Sequence, residues 1–251
     1  MKIKERNDAA ALRTVAGTMV RNTILLRIPQ KEFDAIQPYL EPTSLQLGTF
    51  VLRQREPVDS VYFVNSGLAS LIAETEDGRS VEVGVAGRED LLGLPVIAGL
   101  TRLTHHVLVQ VPGDAFRIDA ATITALLPEL PELRRVLVLR LAIRSMQMAQ
   151  NTACNRLHRV QQRLARWLLS TYDRVESRLI ATTHDFLARM VGTDRPSVSV
   201  ALASLQRDGA ITGTRGLISI ANRQKLHHLA CECYEVFAQF NEELGLSQRQ
   251  T

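Results

Sequence analysis

The chain has 251 residues, 45% hydrophobic and 22% charged, enough to bury one large core or two ordinary ones, and two domains is the expectation. No apolar run reaches the roughly 20 uncharged residues of a membrane span, and Met1 to Arg6 lead into no apolar signal core, so a cytoplasmic protein without a membrane partner is expected. The net charge of +4 is unevenly divided: residues 1–151 hold 17 Lys and Arg against 17 Asp and Glu, 152–225 hold 12 against 5, and 226–251 hold 1 against 4.

Residues 1–27 are polar and aperiodic and read as a loose arm, followed by a short helix around Pro29 to Leu40. From Ser44 the period changes to two. Strands are expected at Phe50 to Leu52, Val61 to Val64, Leu68 to Ala73, Val81 to Val85, Val107 to Val111 and Ala115 to Ile118. Turn signals separate them, among them Glu56-Pro57, Asn65-Ser66-Gly67, Glu76-Asp77-Gly78 and Pro112-Gly113. Such close, regular spacing suggests a small antiparallel barrel or roll.

After Pro128 and Pro131 the pattern is helical. Leu133, Leu137, Leu141, Met148 and Thr152 form a stripe that Val136, Ile143 and Ala149 broaden. A helix of about 20 residues on a roll buries little alone. Its stripe is expected to pack on the roll from one side and on a second copy of itself from the other. The alternative is a helix lying only on its own domain. Eight Arg and no Asp or Glu lie between Leu133 and Tyr172, so a seam there must turn the guanidinium groups outward or toward an anionic partner. A second helix, Asn155 to Arg174, places Leu157, Val160, Leu164, Trp167 and Leu168 on one face, and a hairpin is expected at Ala210 to Ile220 around Gly213-Thr214-Arg215-Gly216.

The informative stretch is Thr182 to Gly209. Thr182 or Thr183 can cap a first helix, Ala188 lets a second approach closely, and Gly192 makes the tight turn. Val198 falls between the two helices with Leu187, Val191, Ala201, Leu202 and Leu205, the pattern of two helices crossing steeply through a short turn. Asp194 is a suitable N-cap, Pro196 sits in the first turn where its missing N–H costs nothing, and Gly209 ends the helix. Arg195, Ser197, Ser199 and Val200 are left near the exposed first turns, where a recognition helix meets base edges and phosphates. Arg195 can give guanine two hydrogen bonds, and hydroxyls such as those of Thr183 and Thr193 suit phosphates or bases. The hairpin adds a wing with Arg215 at its tip. The local basic surplus agrees with a nucleic-acid partner, although solvated Arg-rich faces exist without one.

Three cysteines, Cys154, Cys231 and Cys233, are too few for a disulfide framework. Cys231-Glu232-Cys233 could hold a metal or sense oxidants, but no recognisable spacing supplies further ligands; the cysteines are read as structural thiols, with no metal and no cofactor expected. Paired carboxylates at helpful spacing, a P-loop, Gly-x-Ser-x-Gly and His-Glu-x-x-His are all missing from the sequence, so an enzyme is not expected.

The order of these elements resembles the Crp/Fnr family of transcription regulators. The resemblance covers about Ile28 to Lys225. Its most specific parts are Asn155-Arg156-Leu157 with Arg163 to Leu168, and Gly192 to Ser199. It implies an α+β fold: an N-terminal antiparallel β-roll of the cyclic-nucleotide-binding type, a long dimerisation helix and a C-terminal winged helix-turn-helix. The corresponding divisions are 1–27 (arm), 28–127 (sensor roll), 128–153 (dimerisation helix), 154–225 (DNA-binding domain) and 226–251 (helical tail).

The resemblance also implies a homodimer on double-stranded DNA, reading a palindromic operator with half-sites about 34 Å apart. RNA polymerase is a partner that activation would require, with no residues assigned to it. Arg195 stands where the family has its base-contacting Arg, Pro196 where many members have a Glu that reads cytosine, and Val200 where some have a second Arg.

In the sensor, members that bind cyclic nucleotides carry Gly-Glu-Leu and, about ten residues on, Arg-Ser. Here the pocket positions are Gly93 and Leu94, then Arg102 and Thr104. Leu94 cannot accept the ribose hydrogen bond and Arg102 is displaced by about one residue, so cyclic AMP is not expected to bind in the usual manner and the effector is left open. The family's iron–sulfur branch uses N-terminal cysteines, and this chain has none before Cys154. His105-His106, adjacent on a strand, should point to opposite faces. A competing reading keeps the sensor but makes the C-terminal domain an assembly module, which predicts ligand affinity without salt-dependent DNA binding.

Overall fold

The computed structural model describes residues 12–175, 179–214, 216–236 and 239. It opens with a hairpin of short strands, β1 (Thr14–Val15) and β2 (Thr18–Met19), then helices α1 (Thr23–Arg27) and α2 (Gln30–Ile36). The expected loose arm is thus folded over its described part, with Val15, Val20, Ile24 and Leu25 in the main core. Two buried asparagines dock it. Asn65 accepts from the Arg21 and Asn22 backbone N–H groups and donates to the Met19 carbonyl. Asn22 caps α1 through Oδ1 and donates Nδ2 to the Val64 and Asp90 carbonyls. Both side chains have all their polar atoms partnered, which lets a polar segment be buried.

The roll comprises β3 (Glu41–Leu45), β4 (Phe50–Leu52), β5 (Ser60–Val64), β6 (Leu68–Glu74), β7 (Ser80–Ala86), β8 (Leu91–Leu92), β9 (His106–Val111) and β10 (Gly113–Asp119). They form two antiparallel four-stranded sheets, ordered β3-β10-β5-β8 and β4-β9-β6-β7. All six strands expected from patterning form. β3 escapes the pattern because it holds Pro42, tolerated at a sheet edge; β8 is too short to show a period.

After α3 (Ala120–Leu126), helix α4 (Pro131–Leu157) runs 27 residues. No side chain of its N-cap residue Leu130 satisfies its first amides. The Glu32 carboxylate of α2 does so instead, accepting from the Glu132 and Leu133 N–H groups at 3.0 and 2.8 Å. Leu133, Val136 and Leu137 face the core as expected, but farther along the buried positions are Arg140, Ile143, Arg144, Gln147, Asn151 and Cys154. Thr152 is exposed, Met148 half-buried, and Leu157 ends α4 in solvent rather than opening the next helix. Four of the eight arginines, Arg140 and Arg144 here and Arg163 and Arg166 in the next helix, are therefore buried, against the expectation that they turn outward or toward an anionic partner.

The C-terminal domain contains α5 (Val160–Tyr172), β11 (Leu179–Ala181), α6 (His184–Met190), α7 (Arg195–Arg207), β12 (Ile211–Thr214), β13 (Leu217–Ile220) and α8 (Arg223–Leu229), its sheet ordered β11-β13-β12. Its core gathers Leu164, Trp167, Leu168, Leu187, Val198, Leu202, Leu205 and Ile220. Ile72 of β6 and Leu108 of β9 join that core, while their neighbours Leu71 and Val107 face the roll interior, so the outer face of one sheet adjoins the C-terminal domain. Among the described residues no helix is long and apolar enough to cross a membrane.

Glu82 of β7 is buried at this boundary, and one carboxylate oxygen has no partner. Burial pushes its carboxyl up to about 7 from an ordinary 4.5, against the pull of the Ser70 hydroxyl and Arg166. The fold favours the neutral acid: its contribution is whole below about 4.5 and is lost as pH rises through about 7. Glu82→Gln is expected to match the parent's unfolding free energy at pH 4 and to exceed it at pH 8, by at most roughly 3 kcal/mol, as denaturant unfolding across pH would measure.

Candidate DNA-reading surface and sensor cavity

The helix pair forms as the spacing predicts. Thr183 caps α6, its Oγ1 accepting from Phe186 N–H at 3.1 Å, and Asp194 caps α7, accepting from Ser197 N–H at 2.7 Å. Gly192 makes the turn at φ +61°, where an added Cβ would lie 2.9 Å from Val81 Cγ2. Leu187, Ala188, Val191, Val198, Ala201, Leu202 and Leu205 are all buried between the helices and α5.

This arrangement leaves one face of the pair open. Thr183, Arg195, Pro196 and Val200 are exposed, Val200 by 70%, and Thr193, Ser197 and Ser199 are partly so. The Arg195 guanidinium reaches Asp185 only at 3.9 Å with both side chains largely in solvent, an attachment weak enough to exchange for another partner. Ser199 is more tightly held: its hydroxyl donates to the Arg195 carbonyl at 3.1 Å and lies 2.9 Å from His184 Nδ1. His184 thus belongs to the same face, though nothing in the motif marks it; its position just after the cap of α6 is the signal available. Arg215 lies outside the described residues.

The basic surplus of residues 152–225 is only partly on this face. Arg163 and Arg166 are buried, Arg174 pairs with Glu89, and Arg223 pairs with Asp173. Arg189, Arg195 and Arg207 are exposed.

A cavity of about 340 Å³ lies between the roll and α4, walled by apolar side chains including Leu71, Leu91, Leu94, Val107, Leu141 and Met148. Two of the four expected pocket residues are there: Leu94 lines it, and Gly93, at φ +85°, leaves no room for a Cβ, which would meet Val61 Cγ1 at 2.8 Å. The other two are not. Arg102 is exposed with Nη1 donating to the Arg55 carbonyl at 2.7 Å, and Thr104 is exposed.

The polar groups of the cavity are ones the sequence does not single out for it. His105 is buried in its wall with Nδ1 unpartnered, and burial, with Arg144 and His106 adding, pushes its imidazole down to about 4, so it is neutral near pH 7. His106 faces the other way, stacking near Phe50 and accepting from Gln54 N–H.

Arg144, the guanidinium in the lining, is already committed: it donates to the Val85 carbonyl at 2.6 Å and to the Asp90 carboxylate. Arg140 gives Asp90 two further bonds, at 2.6 and 2.7 Å. Burial alone would raise the Asp90 carboxyl, but the two guanidiniums hold it well below the carboxylate range. Beside it Glu89 accepts from Arg174 at 2.9 Å and lies 3.6 Å from Arg140.

Comparison with known proteins places both halves. Residues 42–129 match the cyclic nucleotide-binding domain and residues 162–229 the Crp-like helix-turn-helix domain. The chain is 27% identical over 221 residues to the CRP-like cAMP-activated global transcriptional regulator of Mycobacterium tuberculosis, covering 82% of this chain and 96% of that one. It is 25% identical over 218 residues to the CRP-like protein Clp of Xanthomonas oryzae, covering 81% and 94%. In fold it resembles the c-di-GMP responsive global regulator CLP of Xanthomonas campestris (TM-score 0.64, 20% identity, 76% of this chain and 99% of that one) and FixK2 of Bradyrhizobium japonicum (TM-score 0.66, 18% identity, 76% and 98%). A cyclic-nucleotide-binding-type roll, a long helix and a winged helix-turn-helix, joined in this order, make the chain a member of the Crp/Fnr family of transcription regulators.

Proposed function

We propose that the protein acts as a homodimer that reads a palindromic DNA operator through the first turns of α7, and that its sensor cavity is not controlled by cyclic AMP in the usual mode. The observation that carries the DNA reading is the open face on which Arg195 and Val200 stand clear of the domain core while Asp194 and Val198 fix the helix beneath them. Arg195 reads a guanine, Thr183, Thr193 and Ser197 serve phosphates, and Pro196 and Val200 offer apolar contact where other members place charge. Arg195→Ala is expected to lower operator affinity about 5- to 150-fold and relax preference at one base pair per half-site, which selection of bound genomic fragments by both proteins would measure. Equal selection by parent and variant, or salt-insensitive binding, would favour the assembly-module alternative.

Dimerisation is supported by the solvent face of α4. Val138 and Met146 are 53% and 47% exposed, and Ala142 and Ala149 are exposed with them, at spacings of four, four and three residues. These spacings keep the four residues on one side of the helix, where the small ones allow a second helix to approach closely. It lies opposite the arginines that grip the roll. Met146→Glu places like charges across this seam; sedimentation is expected to show a dimer become a monomer, with at least tenfold weaker operator binding.

The case against cyclic AMP rests on charge. A buried phosphate needs a free cation, whereas Arg144 is tied to Asp90 and Arg102 lies outside the cavity. The M. tuberculosis relative is named for activation by cAMP and the X. campestris structure for response to c-di-GMP, so the shared fold does not by itself assign an effector. This cavity, apolar but for neutral His105, Ser145 and the engaged Arg144, suits an apolar or weakly polar small molecule with one group for His105. Calorimetric titration with cyclic AMP is expected to give no saturable heat; micromolar binding abolished by Arg102→Ala would reverse the reading.

A further inference from the structure

The last turn of α4 and the segment after α8 meet at a cluster that the spacing of the cysteines does not reveal. Cys154 and His158, four residues apart, share one side of the helix end, and Cys231 and Cys233 return to them from beyond the entire DNA-binding domain. The four donor atoms all lie within 4.8 Å of one another. Cys154 Sγ is 3.5 Å from Cys231 Sγ, and Cys233 Sγ is 3.6 Å from His158 Nδ1. A tetrahedral zinc ion, with bonds of about 2.3 Å to sulfur and 2.0–2.1 Å to nitrogen, spaces its ligands roughly 3.5–3.8 Å apart. The donors already stand close to that polyhedron. The spacing in the sequence offers Cys231 and Cys233 no further donors; in the fold Cys154 of α4 and His158, the residue just after that helix, stand beside them.

The surroundings fit an ion. His158 Nε2 lies 3.0 Å from Glu232 Oε1, which holds the proton on that nitrogen and leaves Nδ1 free to face the sulfurs. Gln150 Nε2 donates to Cys233 Sγ at 3.1 Å. All three cysteines are buried, and the buried cations Arg163 and Arg166 act on the cluster electrostatically, as a site of three thiolates and one divalent ion would require for charge balance. Four protein donors leave no open position, the arrangement of a structural rather than a catalytic site, and soft sulfur ligands favour zinc over magnesium or calcium. Donors packed this tightly suit a single ion better than an iron–sulfur cluster, whose irons hold cysteine sulfurs farther apart.

We propose that Cys154, His158, Cys231 and Cys233 bind one zinc ion that staples the end of the long helix to the segment following α8, closing the DNA-binding domain into a loop at its hinge. His158 is the residue at which α4 stops, in extended conformation, one residue before Arg159 caps α5. An ion there fixes the angle at which the reading helices leave the dimer helix. Zinc displaces thiol protons as it binds, so assembly of the site weakens as pH falls.

The test uses the untagged full-length protein purified with a phosphine reductant. Elemental analysis is expected to find one zinc per chain, and cobalt(II) added to the apoprotein should give the visible bands of a tetrahedral thiolate complex at one equivalent. Cys154→Ser and Cys233→Ser should each lose most of the bound metal. His158→Cys should keep it through four thiolates, which separates lost ligation from lost folding. Glu232→Gln should weaken binding about tenfold. Apoprotein that takes up neither zinc nor cobalt and keeps three freely alkylated thiols would overturn the proposal. So would a Cys154–Cys231 disulfide in the reduced preparation, or iron and sulfide in place of zinc.

Discussion

The carboxylate of Asp90 cannot be taken out of water without its two arginines, and much of the architecture follows from that requirement. Leaving one buried charge of such a set unpaired costs about 3–5 kcal/mol. Arg140 and Arg144 are one turn apart on α4, so their simultaneous pairing with Asp90 fixes both the rotation and the axial position of the helix on the roll. Glu89 extends the set to Arg174, just beyond α5. Sensor roll, long helix and C-terminal domain are thus keyed to two adjacent acidic residues. The same pairing decides the chemistry of the cavity, since an anionic ligand reaching for Arg144 would have to compete with Asp90.

The helix-turn-helix is legible in the sequence because its determinants are local. Caps, the turn glycine and the seven small or apolar residues between α6 and α7 all fall within Thr183 to Leu205, and helical geometry alone converts their spacing into a packed pair. The strands of the roll are legible for the same reason. What escapes is every feature built from distant partners: Glu32 capping α4 across the chain, Asn22 and Asn65 docking the N-terminal hairpin, Asp90 drawing two arginines inward, and Cys231 finding Cys154. Hydropathy cannot see such pairs because each half, read alone, is polar and looks solvated. The stripe on α4 fails after Leu141 on these grounds: Arg144, Gln147 and Asn151 occupy core-facing positions that a hydrophobic pattern assigns to solvent. At the pocket, Gly93 and Leu94 were placed by a motif, whereas His105 enters through strand alternation and Arg144 through helix rotation, neither of which a motif contains.

The distribution of arginine shows how little a segment's net charge says about its surface. Arg163 and Arg166 lie inside, and Arg174 and Arg223 are matched to carboxylates. The exposed remainder, with Arg195 loosely held by Asp185, is a modest charge for a DNA-binding face. On the proposed reading, shape and the placement of a few side chains on α7 supply what a broad basic patch does elsewhere.

The participation of Ile72 and Leu108 in the C-terminal core bears on how the protein can be dissected. In a modular regulator each domain would carry a complete core and could be cut away, swapped or inherited separately. Here the two strands lend side chains across the boundary, and a fragment beginning at α5 would present the vacated apolar patch to water. Recombination that exchanged the reading head of this chain for another would therefore have to bring a matching sheet face with it, and the sensor and reader are constrained to change together over evolutionary time.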